Sequence, residues 1–300
     1  MGPEQAEVIF APGEKGQPED PSVTHHGSAD EPAYRSQIDK VAKGPVFYLF
    51  ASAILWLLLG SVFGLVTSLK FHWPDWLVEW APLTFGRLRP LHLNTVAYGW
   101  LSMAGMGVGL WVASRILKTP LVGAKWAVWG THLWNLGMLL GTWALFSGWS
   151  DGIEWLEYPW QIDGLFAVGG AMIGLPLLFT IKNRQVDHLY VSIWYIGAAF
   201  IWMPMLFVIA NWPGVHFGVQ HAIVNWWFAH NVLGLWLTPL GLAAAYYFIP
   251  KMIGRPVHSY QLSRIYAVYA LVKHDFALYS LDSGTRAFGS VWVCLLYFVW

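Results

Sequence analysis

Apolar residues arrive in long blocks along this chain, not in the short alternations of a half-buried sheet. The blocks lie at about 44–69, 90–113, 124–147, 162–181, 188–211 and 221–249. About 20 helical residues are needed to cross ~30 Å of hydrocarbon, so the pattern predicts an all-α, polytopic transmembrane bundle of six spans. Pro, Gly or a charge cluster bounds each block, as expected where a helix must stop. A seventh block opens near Ile265 but soon meets Lys273, His274 and Asp275, and the last apolar piece, from Ala287 to Trp300, is too short to span untilted.

Residues 1–43 differ sharply, with eight acids, four bases and scattered Pro and Gly. Such a composition buries little apolar surface and predicts a disordered, acidic cytoplasmic tail. Three regions follow: the tail at 1–43, a membrane bundle at 44–264 and an atypical C-terminal segment at 265–300. The opening Met1-Gly2-Pro3-Glu4 has neither a basic region nor a nearby apolar core, so it does not read as a cleavable signal. Ala6 stands where a myristoylation signal needs Ser or Thr.

Composition supports the same solvent. Charged residues make up 11% of the 300, against about 25% in soluble domains, while hydrophobic residues reach 56%. The 17 basic and 17 acidic residues cancel. A soluble enzyme, a disordered chain and a nucleic-acid binder are all excluded on these grounds. A lone cysteine, Cys294, excludes a disulfide framework, a multi-cysteine zinc site and an iron–sulfur cluster.

Lys and Arg set the orientation. With the N-terminus inside, the inner segments hold eleven (Arg35, Lys40, Lys43, Arg115, Lys118, Lys125, Lys182, Arg184, Lys251, Arg255, Arg264), and the outer ones hold Lys70, Arg87 and Arg89. The two outer arginines therefore need a reason. Gly pairs at four-residue spacing (Gly60/Gly64, Gly105/Gly109, Gly137/Gly141, Gly170/Gly174) predict close helix approach.

An ionisable residue inside a membrane is a functional candidate by default. The spans are almost free of carboxylates but carry His92, His132 and His230, with His221 at a helix entrance. Neutral imidazole is the commonest metal ligand and an axial ligand of haem iron. His92, beside Arg87 and Arg89, reads either as an interfacial histidine or as a haem ligand whose arginines pair with propionates. His230, nine residues after His221, lies about 13 Å further along its helix. It reads either as a helix–helix hydrogen bonder or as a ligand. His132 shares a face with Asn135 and favours a structural use. Trp73, Trp76, Trp80, Trp149, Trp155, Tyr158, Trp160 and Trp212 read as interfacial anchors.

Three segments carry a family resemblance. Gly86-Arg-Leu-Arg-Pro-Leu-His92-Leu-Asn-Thr-Val-Ala-Tyr-Gly, then Trp226-Trp-Phe-Ala-His230-Asn-Val-Leu-Gly-Leu-Trp-Leu-Thr238, then Tyr246-Tyr-Phe-Ile-Pro-Lys251 with Arg255-Pro256 and Tyr260-Gln-Leu-Ser263, resemble subunit I of the cbb3-type cytochrome c oxidases. These are the C-family of the haem–copper superfamily. The match runs from about Trp56 to Arg264. Val232, Leu233 and Gly234 stand where nitric oxide reductases of the same superfamily place a Glu, which disfavours that alternative. A non-enzymatic multi-pass transporter or scaffold is the alternative from another class.

The resemblance implies the catalytic subunit of a terminal respiratory oxidase, reducing O2 to water with electrons from cytochrome c and translocating protons. It implies His92 as an axial ligand of a low-spin haem b, with Arg87 and Arg89 at the cofactor, and His230 as one of three histidines on copper. Tyr246 and Ser263 match positions on a proton path. It further implies a high-spin haem, membrane-anchored c-type cytochrome subunits as partners, and a bacterial inner membrane.

The family departs from this chain after about residue 264. It has about twelve spans, and a His-His pair expected near 280–281 is replaced by Ser280-Leu281. Only two of the six family histidines are present. The expectation is a truncated, frame-shifted product that is inactive alone.

Overall fold

The computed structural model describes residues 31–214, 216–256, 259 and 263. These form eight α-helices, with no β-strand among the described residues: α1 (Glu31–Leu69), α2 (Phe85–Asn94), α3 (Ser102–Ile116), α4 (Ala124–Ser147), α5 (Trp160–Lys182), α6 (Val191–Ala210), α7 (Gly218–Asn231) and α8 (Thr238–Ile253). Two π-helical segments, Thr95–Leu101 and Val232–Leu237, fuse α2 to α3 and α7 to α8. Each fused pair is a single apolar stretch, Phe85–Ile116 and Gly218–Ile253. The architecture is an all-α, multi-pass bundle.

Among the described residues, five helical stretches are long and apolar enough to cross a membrane: Pro32–Leu69, Phe85–Ile116, Trp160–Lys182, Val191–Ala210 and Gly218–Ile253. The remaining expected span, 124–147, forms α4 at full length, but its Trp, Thr, His and Asn residues keep its hydropathy lower. The seventh block lies outside the described residues.

One boundary differs from expectation. Helix α1 begins at Glu31, not at 44, so the last part of the expected tail is helical. Composition could not reveal the cause, which is tertiary. Ile38 and Ala42 are buried, Tyr34 donates to the Lys118 carbonyl at 3.0 Å, and the Arg115 guanidinium grips Asp39 with two parallel hydrogen bonds. A buried apolar face and a bidentate pair give this polar stretch a reason to order.

The helices pack without room for side chains at several crossings. A Cβ on Gly130 would sit 2.7 Å from the Gly169 carbonyl, so α4 and α5 meet backbone to backbone. Dispersion is the main attraction between helices in lipid, and it requires such closeness. Rings fill the neighbouring glycine notches: Gly137 faces Phe166 and Gly141 faces Tyr158. Tyr158, expected as an interfacial anchor, is 1% exposed and belongs to the core.

Three buried indoles tie helices together. Trp56 of α1 donates to Asn135 Oδ1 of α4, Trp134 of α4 to the Tyr98 carbonyl, and Trp236 to Ser102 Oγ of α3, all at 2.9 Å. An indole N–H left without water must find an acceptor, so each ring contributes apolar contact and one directional bond.

Candidate metal centre

The first candidate ligand is seated by the helix opposite it. The His92 Nδ1 atom lies 2.8 Å from the Gly60 carbonyl of α1. A carbonyl can only accept, so Nδ1 carries the proton and Nε2 keeps its lone pair. This is the usual way a second partner fixes the tautomer and basicity of a ligating imidazole. Gly64, one turn further along α1, completes the seat: a Cβ there would fall 2.6 Å from His92 Cε1. The Gly60/Gly64 pair, read in the sequence as a packing motif, therefore also houses the candidate ligand. The spacing was visible, but nothing in one sequence says which side chain enters the notch.

The two outer arginines have protein partners in this structure. Arg87 donates from Nη1 to the Phe146 carbonyl at 2.6 Å, capping the C-terminal turn of α4, where a cation is favoured. Gly148 follows with φ +88° and no Cβ, and a Cβ there would meet Arg87 Nη2 at 2.6 Å, so both backbone angle and space call for glycine. Arg89 forms an ion pair with Glu154 in which both side chains are partly exposed.

The loop 148–159 gathers polar groups at this end of the bundle. The Glu154 carbonyl accepts from Asn225 of α7 at 2.6 Å, and Glu157 Oε2 accepts from Asn94 of α2 at 2.8 Å. Asn94 and Glu157 are both buried, and the Asn94 Oδ1 and Glu157 Oε1 atoms have no hydrogen-bond partner among the described residues. Burial raises the Glu157 carboxyl above its ordinary value, against the lowering pull of its bonds to Asn94 and backbone and of Arg89 nearby. The same cause, desolvation, pushes the Tyr158 phenol upward. Glu154 and Glu157 lie in the loop itself. Asp163 instead lies in the first turn of α5, 2% exposed, and accepts from Asn211 at 3.1 Å.

His230 stands in the last turn of α7 on an exposed side of that helix, next to the buried Phe228, Ala229 and Asn231. Among the described residues no three His, Cys, Asp or Glu side chains cluster closely enough to hold a metal ion. His92 and His230 lie on different helices, α2 and α7. Imidazole is a proper donor for both haem iron and copper, and the free Nε2 of His92 fits one axial position.

Among the described residues, His132 and His216 bond to protein partners. His132 Nδ1 lies 2.8 Å from the Tyr48 hydroxyl across α1 and α4, in keeping with the structural use favoured from sequence. His216 Nε2 bonds the Ala210 carbonyl, with the His221 ring 5.1 Å away. Tyr246 is half-buried and its ring stacks on Tyr195. Ser263 is buried and donates to the Ser259 carbonyl at 2.9 Å.

Comparison with known proteins places this geometry in a family. The model of cytochrome c and quinol oxidase polypeptide I matches residues 45–274. The cbb3-type cytochrome c oxidase subunit CcoN1 of Stutzerimonas stutzeri is 31% identical over 222 residues, covering 71% of this chain and 47% of that protein. Cytochrome c oxidase subunit 1 of Rhodobacter capsulatus is 32% identical over 228 residues, covering 70% and 42%. A cytochrome c oxidase subunit 1 homolog of Agrobacterium tumefaciens is 30% identical over 254 residues, covering 79% and 46%. The chain thus spans about half the length of the curated relatives it matches. With the matched segment running from within α1 to beyond the end of α8, the chain belongs to the family of cytochrome c and quinol oxidase polypeptide I, the subunit I of haem–copper oxidases.

Proposed function

We propose that this chain is the N-terminal part of the catalytic subunit of a cbb3-type terminal oxidase in a bacterial inner membrane. The observation that carries the reading is the His92–Gly60 hydrogen bond, which commits Nδ1 and frees Nε2 for iron. His92 would hold the low-spin haem b, and His230 would supply one of the imidazoles of copper. When bound, these groups supply one-electron transfer and a place where O2 is reduced to water.

The chain's own residues do the rest. Gly60 and Gly64 fix the His92 ring. Arg87 and Arg89 stand at the same end and would exchange their present partners for propionate oxygens, which their forked guanidinium geometry suits. Tyr246 and Ser263, toward the inner side, would hold protons on an uptake path. Electrons would come from cytochrome c through membrane-anchored c-type cytochrome subunits. With two of the six family histidines assigned, His92 and His230, the reading gives these residues one haem ligand and one copper ligand and no complete oxygen site.

Haem extraction from the purified, folded chain as the pyridine adduct tests this reading. Recovery of b-type haem, together with no cyanide-sensitive oxygen consumption, is the expected result. A folded chain with no extractable haem would overturn the ligand assignment, and sustained turnover would contradict the site count.

A further inference from the structure

Both candidate ligands share a feature absent from the reading of their sequence motifs. Each histidine is followed within three residues by a π-helical segment, Thr95–Leu101 after His92 and Val232–Leu237 after His230. A π-turn inserts one residue, so everything beyond it is rotated by about 100° relative to an uninterrupted α-helix. The insertion also loosens the backbone hydrogen bonding, and in a membrane every carbonyl still needs a donor.

Those donors are present, and one of them comes from the other π-segment. The Ala97 carbonyl, inside the first segment, accepts the Ser102 hydroxyl at 2.7 Å as well as the Ser102 backbone N–H. The Tyr98 carbonyl accepts the Trp134 indole at 2.9 Å. Trp236, inside the second segment, donates its indole N–H to Ser102 Oγ at 2.9 Å. Ser102 and Trp236 are both 0% exposed. A continuous path, Trp236 N–H to Ser102 O–H to Ala97 C=O, therefore joins the two π-segments through a dry core. Gly105, one turn past Ser102, lets Leu240 of α8 close over the link, since a Cβ there would fall 2.8 Å from Leu240 Cδ1. Phe200 packs edge-on against the Trp236 ring at 5.4 Å.

We propose that Ser102 and Trp236 are positioning residues. Their hydrogen bond locks the rotational phase of the His92 helix against that of the His230 helix, and so sets how the two metal-binding histidines are placed relative to one another. The role rests on the reading of His92 and His230 as ligands. The existence of the lock does not depend on it.

The test uses the full chain with Cys294→Ser and spin labels at Gly86→Cys and Val219→Cys, two exposed positions upstream of the respective π-segments. Pulsed electron spin resonance reads the distance between them. Trp236→Phe keeps the ring and removes the donor, and Ser102→Ala removes the acceptor with little change in volume. Each single variant is expected to shift or broaden the distance distribution, and the double variant to go no further than either. Unchanged distributions, or effects that add, would overturn the lock.

A second readout separates the lock from the ligand reading. In haem-loaded chain, Trp236→Phe is expected to shift the g-values of the ferric haem signal while haem content stays at the wild-type level. A shifted distance with an unmoved haem signal would reduce the pair to a packing contact and overturn its positioning role. Haem-free wild-type chain would overturn the ligand reading and the positioning role with it, while the distance arm still decides the lock.

Discussion

At the scale of single residues, the seat of His92 carries the account. Gly64→Ala places a methyl where the His92 ring now lies, 2.6 Å from Cε1. Forced overpacking of this kind costs about 1–3 kcal/mol. The prediction is a lowered thermal midpoint together with loss of any low-spin haem band, read on the same sample by circular dichroism and visible absorption. Glu157 makes a second residue-scale prediction. Its carboxyl is raised by burial, so the folded chain holds a proton there that the unfolded chain releases at the ordinary value of 4.5. Stability from this group is complete below that value and is lost as pH rises towards the folded pKa. Glu157→Gln keeps an acceptor for Asn94 and cannot titrate. Thermal midpoints measured across this acid range should fall less with rising pH in that variant than in wild type. Burial of Glu157 was not legible in the sequence, where it sits among polar loop residues and nothing announces that Asn94 will reach it.

At the scale of elements, long apolar blocks made the spans legible because lipid demands length and apolarity together. The π-segments were not legible. The segments themselves, Thr95–Leu101 and Val232–Leu237, are almost entirely apolar, so an inserted residue breaks no visible period. The start of α1 was hidden for a related reason, since Asp39 and Arg115 are 76 residues apart and only the fold pairs them. Arg115→Ala should loosen residues 31–43 without unfolding the bundle. Both partners are more than a third exposed, so the pair contributes under about 1 kcal/mol. Faster amide exchange confined to that stretch, with an almost unchanged thermal midpoint, is the expected outcome. Trp134→Phe acts on the first π-segment itself. It strips the Tyr98 carbonyl of its indole donor in a fully buried site, and an orphaned buried acceptor costs about 1–3 kcal/mol. A reduced midpoint in thermal denaturation checks this. A midpoint equal to wild type would show that the loosened backbone satisfies itself.

At the scale of the whole molecule, the two histidines sit on two composite helices of like construction, each with a π-segment beyond its imidazole. The family resemblance was legible from the motifs around His92 and His230, and the match over 45–274 extends it across the bundle. The arrangement of the site was less so. The resemblance implies a cofactor role for Arg87 and Arg89, and the fold gives them protein partners, the Phe146 carbonyl and Glu154. His230 faces outward from α7 while His92 is enclosed against α1. The account therefore predicts that the two imidazoles differ in what they hold. Reduced-minus-oxidised visible spectra of purified wild-type chain, His92→Ala and His230→Ala test this most directly. A haem Soret band in wild type that vanishes in His92→Ala and survives in His230→Ala is the predicted result. A band that survives the loss of His92, or a flat spectrum from folded wild-type chain, would contradict it.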